Sequence, residues 1–304
     1  MPRFRTDWLA TLGFLFFAGV ALYFMRNPLA DAKPPTPHIP LRAERLSSSD
    51  LEVGGDLAGL PRNSIRYITR DALLALPQVS YTVTDDANFK VPTKIGGVEL
   101  EELARQLVAT PDTEMAIAIC ADLYEAHYPR AYILAHHPLL ALEINGQPPA
   151  GWPKSSDPSS SSMGPYLISH PHFTPRFKIL AHEDEAQIPW AVVRLEFRDE
   201  ETVLSAIAPR GPHANDALVQ DGYRIAEQNC FHCHNSGKEG GKKGKITWEG
   251  ISLFAMSAGN FAAYVRNPQA VAKNAEMPGN PTYDEATMNA LAAYFQTFTE
   301  KLKR

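Results

Sequence analysis

Little in this chain supports the commoner enzyme classes. Three cysteines in 304 residues are too few for a disulfide-stapled scaffold. No G-x-S-x-G, P-loop or H-E-x-x-H pattern occurs, so hydrolase and nucleotide-binding readings have no motif to rest on. There is no internal repeat, and the single low-complexity run, residues 155–162 (SSDPSSSS), reads as a surface loop. A basic surplus is also missing. The net charge is -5, against the positive balance of a nucleic-acid binder. From Pro212 onward there are 10 Lys and Arg against 9 Asp and Glu, and before it 19 against 25, so neither half is a polybasic arm. What is present is core-forming material, 44% hydrophobic and 21% charged, in a length that suits two folded units of roughly 150 residues.

One long apolar run stands near the N-terminus. Trp8 to Met25 carries no charge over 18 residues, about 27 Å as a helix against a bilayer core near 30 Å. Arg3 and Arg5 precede it and Arg26 follows, which favours a cytoplasmic N-terminus and export of everything after Met25. Two readings compete. One is a retained anchor with Trp8 and Tyr23 at the interfaces; the other is a signal segment cleaved near Ala30-Asp31-Ala32. The expectation adopted is a single transmembrane helix in a bacterial inner membrane, with the folded part in the periplasm. Residues 31–62, including AKPPTPHIP, read as a stiff spacer. A second break at 199–213, with Pro209, Gly211 and Pro212, separates a block at 63–198 from one at 214–304.

The most specific signal is Cys230-Phe231-His232-Cys233-His234, the C-x-x-C-H pattern of c-type haem attachment. Two thiols three residues apart can bond the two vinyl groups on one edge of a porphyrin, and the adjacent His234 can ligate its iron. Zinc would need a second ligand pair at fixed spacing, and none follows. A bare C-x-x-C redox pair would have no use for His234.

The surroundings of this motif resemble a class I c-type cytochrome over residues 214–300. Asp216–Asn229 reads as a helix with Ala217, Leu218, Ile225 and Ala226 as apolar positions and Gly222 allowing close approach. Phe261–Arg266 reads as a short helix closed by Asn267-Pro268. A final helix opens at the capping box Thr282-x-x-Glu285 and carries Met288, Leu291, Ala292, Phe295 and Phe298 on one stripe. The resemblance implies a Gly222/Tyr294 contact between first and last helices. It also implies a sixth iron ligand at Met277, in Glu276-Met277-Pro278-Gly279, with Met256 and Met288 as rivals that read as packing. By the same resemblance the carbonyl of Lys245 is the expected acceptor for the His234 ring. Lys238, Lys242, Lys243 and Lys245 are either solvated loop charge or a docking patch for an acidic electron partner.

The first block alternates strand-like pieces (64–70, 78–84, 94–98, 115–120, 190–197) with a helix at Leu100–Val108, an α+β pattern. Gly97–Leu100, Cys120-Ala121-Asp122-Leu123-Tyr124, the run Pro138–Gly146, Gly164-Pro165 and Trp190–Arg194 together resemble the molybdopterin-binding domain of the sulfite oxidase type. That resemblance implies Cys120 as a thiolate ligand to molybdenum, beside the alternative of a buried packing cysteine. It makes Tyr124 a hydrogen-bond donor near an oxo group, with Arg130, His170, His172 and Arg176 as candidate anion contacts. The expected fold is thus an α+β sulfite-oxidase-like domain followed by an all-α class I cytochrome c domain, behind one transmembrane helix. Two functions stay open. In one, a molybdenum-dependent oxidoreductase passes electrons to haem c. In the other, a non-enzymatic electron carrier uses its first block to dock in a respiratory complex. Either requires a redox partner protein and no nucleic acid.

Overall fold

The computed structural model describes residues 39–108, 114–154 and 162–299. Along them run β1 (Leu51–Gly55), β2 (Arg66–Ile68), α1 (Arg70–Leu74), β3 (Val79–Val83), β4 (Thr93–Glu99), α2 (Leu100–Leu107), β5 (Glu114–Cys120), β6 (Glu125–Tyr128) and α3 (Arg130–His136). There follow β7 (Leu139–Ile144), β8 (Tyr166–Ser169), β9 (Lys178–Ile179), β10 (His182–Glu183), β11 (Trp190–Asp199) and α4 (Glu200–Ser205). The remainder is helical: α5 (Ala217–Asn229), α6 (Trp248–Phe254), α7 (Ala258–Arg266), α8 (Pro268–Val271) and α9 (Glu285–Gln296).

The main sheet is mixed, in the order β2-β1-β11-β8-β7-β4-β3, with β5 and β6 branching from β11. β1 runs parallel to β11, and the other pairs are antiparallel. β1 falls inside the stretch read as spacer. Its Val53 is buried opposite Leu195 of β11 and its Leu51 opposite Ile68 of β2.

β5 explains how the helices attach. Successive side chains of a strand face opposite sides, and both faces of Met115–Cys120 are covered. Ala116, Ala118 and Cys120 join a core with Leu103, Leu107 and Val192. Met115 and Ile117 face the other way, into a core built with Val219, Ile225, Trp248, Leu291 and Phe295. Val203 and Ile207 of the expected interdomain break are buried in that second core as well. Residues 36–304 consequently form one compact unit.

This corrects two expectations. Among the described residues, no all-α cytochrome domain stands after an α+β domain. The helices share their core with the sheet, and the architecture of the described residues is α+β throughout. Nor, among the described residues, is any helix long and apolar enough to cross a membrane, which overturns the single-pass inner-membrane placement. The segment Trp8–Met25 that carried that expectation lies outside the described residues.

Local details differ too. On α5 the buried face is Val219, Gly222, Ile225 and Ala226, while Leu218 points outward. The last helix is capped by Asp284, whose carboxylate accepts from Thr287 N at 2.8 Å, two residues later than Thr282 would place it. Its stripe from Met288 to Phe298 is buried as expected.

Candidate functional site

The C-terminal end of α5 delivers the cysteine motif. Cys230 caps the helix, and its carbonyl accepts from Cys233 N at 3.2 Å and from His234 N at 3.0 Å. That one turn puts both thiols and the imidazole together. Cys230 and Cys233 are free and partly buried. Burial pushes their thiols up to about 12 and about 11, so both are neutral near pH 7. Phe231 is fully buried and meets Trp248 edge-on at 5.6 Å, which pins the turn to the helical core.

The two helices flanking the motif approach as closely as backbones can. A Cβ on Gly222 would stand 2.0 Å from the Ala290 carbonyl oxygen and 2.8 Å from Tyr294 Cβ. Only glycine permits this crossing of α5 with α9. Tyr294 accepts from Trp248 Nε1 at 3.1 Å, and its hydroxyl donates to the Ile207 carbonyl.

His234 has an assigned tautomer. Its Nδ1 lies 2.7 Å from the Ile246 carbonyl, which can only accept, so Nδ1 carries the proton and Nε2 the lone pair. Burial holds His234 below the ordinary histidine value, with the bond to Ile246 opposing. The acceptor is Ile246, one residue beyond the expected Lys245. Gly244 makes that path possible, since a side chain there would strike the His234 ring at 2.5 Å. A neutral imidazole with a carbonyl on Nδ1 and a free Nε2 is the donor arrangement a metal-ligating histidine uses.

Met277 sits on the loop before α9, partly buried against the same core as Cys230. Its carbonyl accepts from Gln269 Nε2 at 3.0 Å. The rivals separate cleanly. Met288 is buried in the α9 stripe, and Met256 is 51% exposed rather than packed. The four loop lysines are exposed; Lys243 pairs with Asp122 at 2.7 Å and Lys245 with Glu276 at 3.9 Å.

Cys120 and Tyr124 lie on the opposite side of the same motif. Cys120 ends β5 at 4% exposure in a tight turn, its N–H donating to Tyr124 O at 2.9 Å and its carbonyl accepting from Leu123 N at 3.0 Å. The cysteine motif roofs this turn. Glu125 N donates to His232 O and Lys242 N to Leu123 O, both at 2.9 Å, and the Tyr124 ring stacks on His232 at 5.4 Å. Burial and then Asp122 push the Cys120 thiol well above the ordinary range, and burial does the same to the Tyr124 hydroxyl. A cavity of about 390 Å³ reaches His232 of the motif and one of about 230 Å³ lies at Gly96 and Gly97, and Cys120 lines neither. The surroundings of Cys120 do not fit a molybdenum–pterin group: its side chain is buried in the core with Leu103 and Val192, and the cysteine motif covers its turn. The expected anion contacts are also committed elsewhere. Arg130 pairs with Glu101 at 2.9 Å, His172 with Asp85 at 3.0 Å, and His170 with the Tyr132 hydroxyl at 2.9 Å. Arg176 alone lines the larger cavity. Among the described residues no group of three or more His, Cys, Asp and Glu could hold a metal ion.

No family model matches the chain, and no curated protein matches it. Among solved structures it is similar to the sulfane dehydrogenase SoxCD from Paracoccus pantotrophus, at 15% identity and a TM-score of 0.33. The match covers 57% of this chain and 45% of that one, so the chain spans less than half the length of that protein. A likeness of this extent fixes neither fold nor activity here.

Proposed function

We propose that this protein is a one-electron carrier holding a single c-type haem on Cys230, Cys233 and His234. The observation that carries the reading is the His234 ring, whose Nδ1–H is spent on Ile246 O while Nε2 stays free, one residue after a pair of neutral thiols on the same turn. A haem held there supplies one-electron iron chemistry.

Each part of the chain has a role in that. Cys230 and Cys233 would hold the haem by thioether bonds, each thiol adding its S–H across a vinyl double bond. The Ile246 carbonyl fixes the plane of the His234 ring and raises its basicity. Met277 offers a thioether from a loop that Pro278 keeps out of helix. With a haem held there, Met277 would be a second ligand from this chain beside His234, which would suit electron transfer rather than substrate turnover. The buried aromatic set Phe231, Trp248, Phe261 and Phe295 keeps water out of the helical core behind the motif. The sheet block acts as a scaffold and docking surface toward a redox partner protein, not as a molybdenum enzyme, because Cys120 is roofed by the cysteine motif.

The test is a spectrum of the full chain matured with c-haem ligation machinery. The reduced form should be low-spin, and the oxidised form should show the long-wavelength thioether-to-iron band. Met277→Ala should abolish that band; Met256→Ala and Met288→Ala should leave it. Survival of the band in Met277→Ala overturns the axial assignment.

A further inference from the structure

A run of polar side chains, partly to fully buried, joins the β9–β10 pair to the helices beside this site. Asn229 closes α5 immediately before Cys230; Asn280 and Tyr283 lie between Met277 and α9. Asn229 Nδ2 donates to Tyr283 Oη at 3.0 Å and to Asn280 Oδ1 at 3.1 Å. The Tyr283 hydroxyl lies 2.7 Å from Nδ1 of His182 in β10, and His182 Nε2 lies 2.6 Å from Gln228 Oε1. Gln228 Nε2 donates to Asp184 Oδ1 at 2.6 Å, while Asp184 Oδ2 meets His136 Nε2 and Arg176 N, each at 3.1 Å. His182 is 1% exposed, Asp184 4% and Tyr283 5%.

The directions of these bonds follow from their partners. The Gln228 amide nitrogen is committed to Asp184, so its oxygen accepts from His182 Nε2–H. A neutral His182 then has a lone pair at Nδ1 and accepts from Tyr283 O–H, whose oxygen accepts in turn from Asn229. Every donor meets an acceptor in one sense along the chain, and such bonds strengthen one another. Leaving the buried His182, Asp184 or Tyr283 unpaired costs that group's full desolvation.

We propose that His182 and Tyr283 are positioning residues for Met277, so that the sheet block completes the iron site. The inference rests on the haem reading above. His182, backed by Asp184, holds the segment after Met277 against the end of α5 that leads into Cys230. Gln269 holds Met277 from the other side through its carbonyl. The Met277 loop is thereby fastened at both ends, and one fastening comes from outside the helical region.

The test uses the full haem-loaded chain and titrates the ferric form with imidazole, which takes the Met277 position only when the thioether is off the iron. If the detached state becomes tenfold more populated, apparent imidazole affinity rises by about the same factor. His182→Ala and Tyr283→Phe should each tighten imidazole binding about tenfold, and the double variant no more than either alone, because one chain is broken in each case. Tyr283→Phe removes one oxygen and keeps the ring, so it stands in should His182→Ala not fold. Leu103→Ala, a core truncation on α2, should leave imidazole affinity unchanged despite lower stability. Amide exchange across 276–283 should quicken in the two network variants and not in Leu103→Ala. Haem-loaded variants with wild-type imidazole affinity would overturn the positioning role alone. A wild-type chain with no covalent haem would overturn the haem reading and this inference with it.

Discussion

Adding a single methyl group at Gly222 separates the helix crossing from ordinary helix propensity. In isolation, glycine to alanine in a helix interior gains about 0.8–1 kcal/mol. At Gly222 the new Cβ would lie 2.0 Å from the Ala290 carbonyl oxygen and 2.5 Å from its carbonyl carbon. Ordinary contact needs more than 3 Å, and the obstacle is backbone, which cannot rotate away. Relief requires α5 and α9 to part by about 1 Å along a face that also packs Tyr294, and overpacking of that kind costs roughly 1–3 kcal/mol, at the upper end when the backbone must move. The net expectation for Gly222→Ala is a loss of about 2 kcal/mol, close to a thirtyfold fall in the folding constant. Gly259 on α7 is the internal control, since nothing lies within 4 Å of a Cβ there. Gly259→Ala should be neutral or gain up to about 1 kcal/mol. Urea unfolding followed by far-UV circular dichroism reads both, with the slope confirming that the transition is unchanged. Equal midpoints for Gly222→Ala and wild type would refute the close crossing.

Two other perturbations bear on the sheet block. Cys120→Ala should cost about 1–2 kcal/mol for a small buried truncation and leave haem content and electron transfer intact. Wild type expressed with intact molybdenum-cofactor synthesis should contain no molybdenum, and stoichiometric metal would contradict the packing around Cys120. His170 is held neutral by burial, down to about 3, beside His136. The unfolded chain therefore takes up a proton near pH 6.5 that the folded one refuses. Stability from this group is present above pH 6.5 and is lost as pH falls toward 3, at about 1.4 kcal/mol per pH unit, or about 2 kcal/mol by pH 5. His170→Gln should flatten the urea-midpoint profile between pH 6.5 and 5; an unchanged slope would show that His170 does not contribute.

How far the sequence could be read depended on where each signal resides. Strands with β-branched alternation, such as Val79–Val83 and Trp190–Asp199, and the amphipathic helix Leu100–Leu107 follow from local pattern, and the structure places them within a few residues. β1 escaped because Leu-Glu-Val-Gly-Gly has no periodicity of its own and is defined by its pairing with β11. α6 escaped because Gly250 interrupts a short apolar run. On β5 an unbroken apolar string signals burial on both faces, but it does not say what covers the second face, and that missing information is what makes the helices part of one unit with the sheet. The single turn that gathers Cys230, Cys233 and His234 was legible because it involves only neighbouring residues. The acceptor for His234 lay one residue off, since the turn over the imidazole depends on Gly244. His182, Asp184 and Tyr283 had no sequence signal, because they meet only when residues far apart in the chain are brought together.

The central claim is a covalent haem on Cys230 and Cys233, and the mass of the intact, denatured protein after maturation tests it most directly. The account predicts a wild-type mass raised by one haem. It further predicts the same added haem mass, on a smaller fraction of the protein, for Cys230→Ala and Cys233→Ala, with one thioether left in each, and loss of the added mass in the double variant. A wild-type chain at its bare polypeptide mass, under conditions that load a known c-type cytochrome, would contradict it.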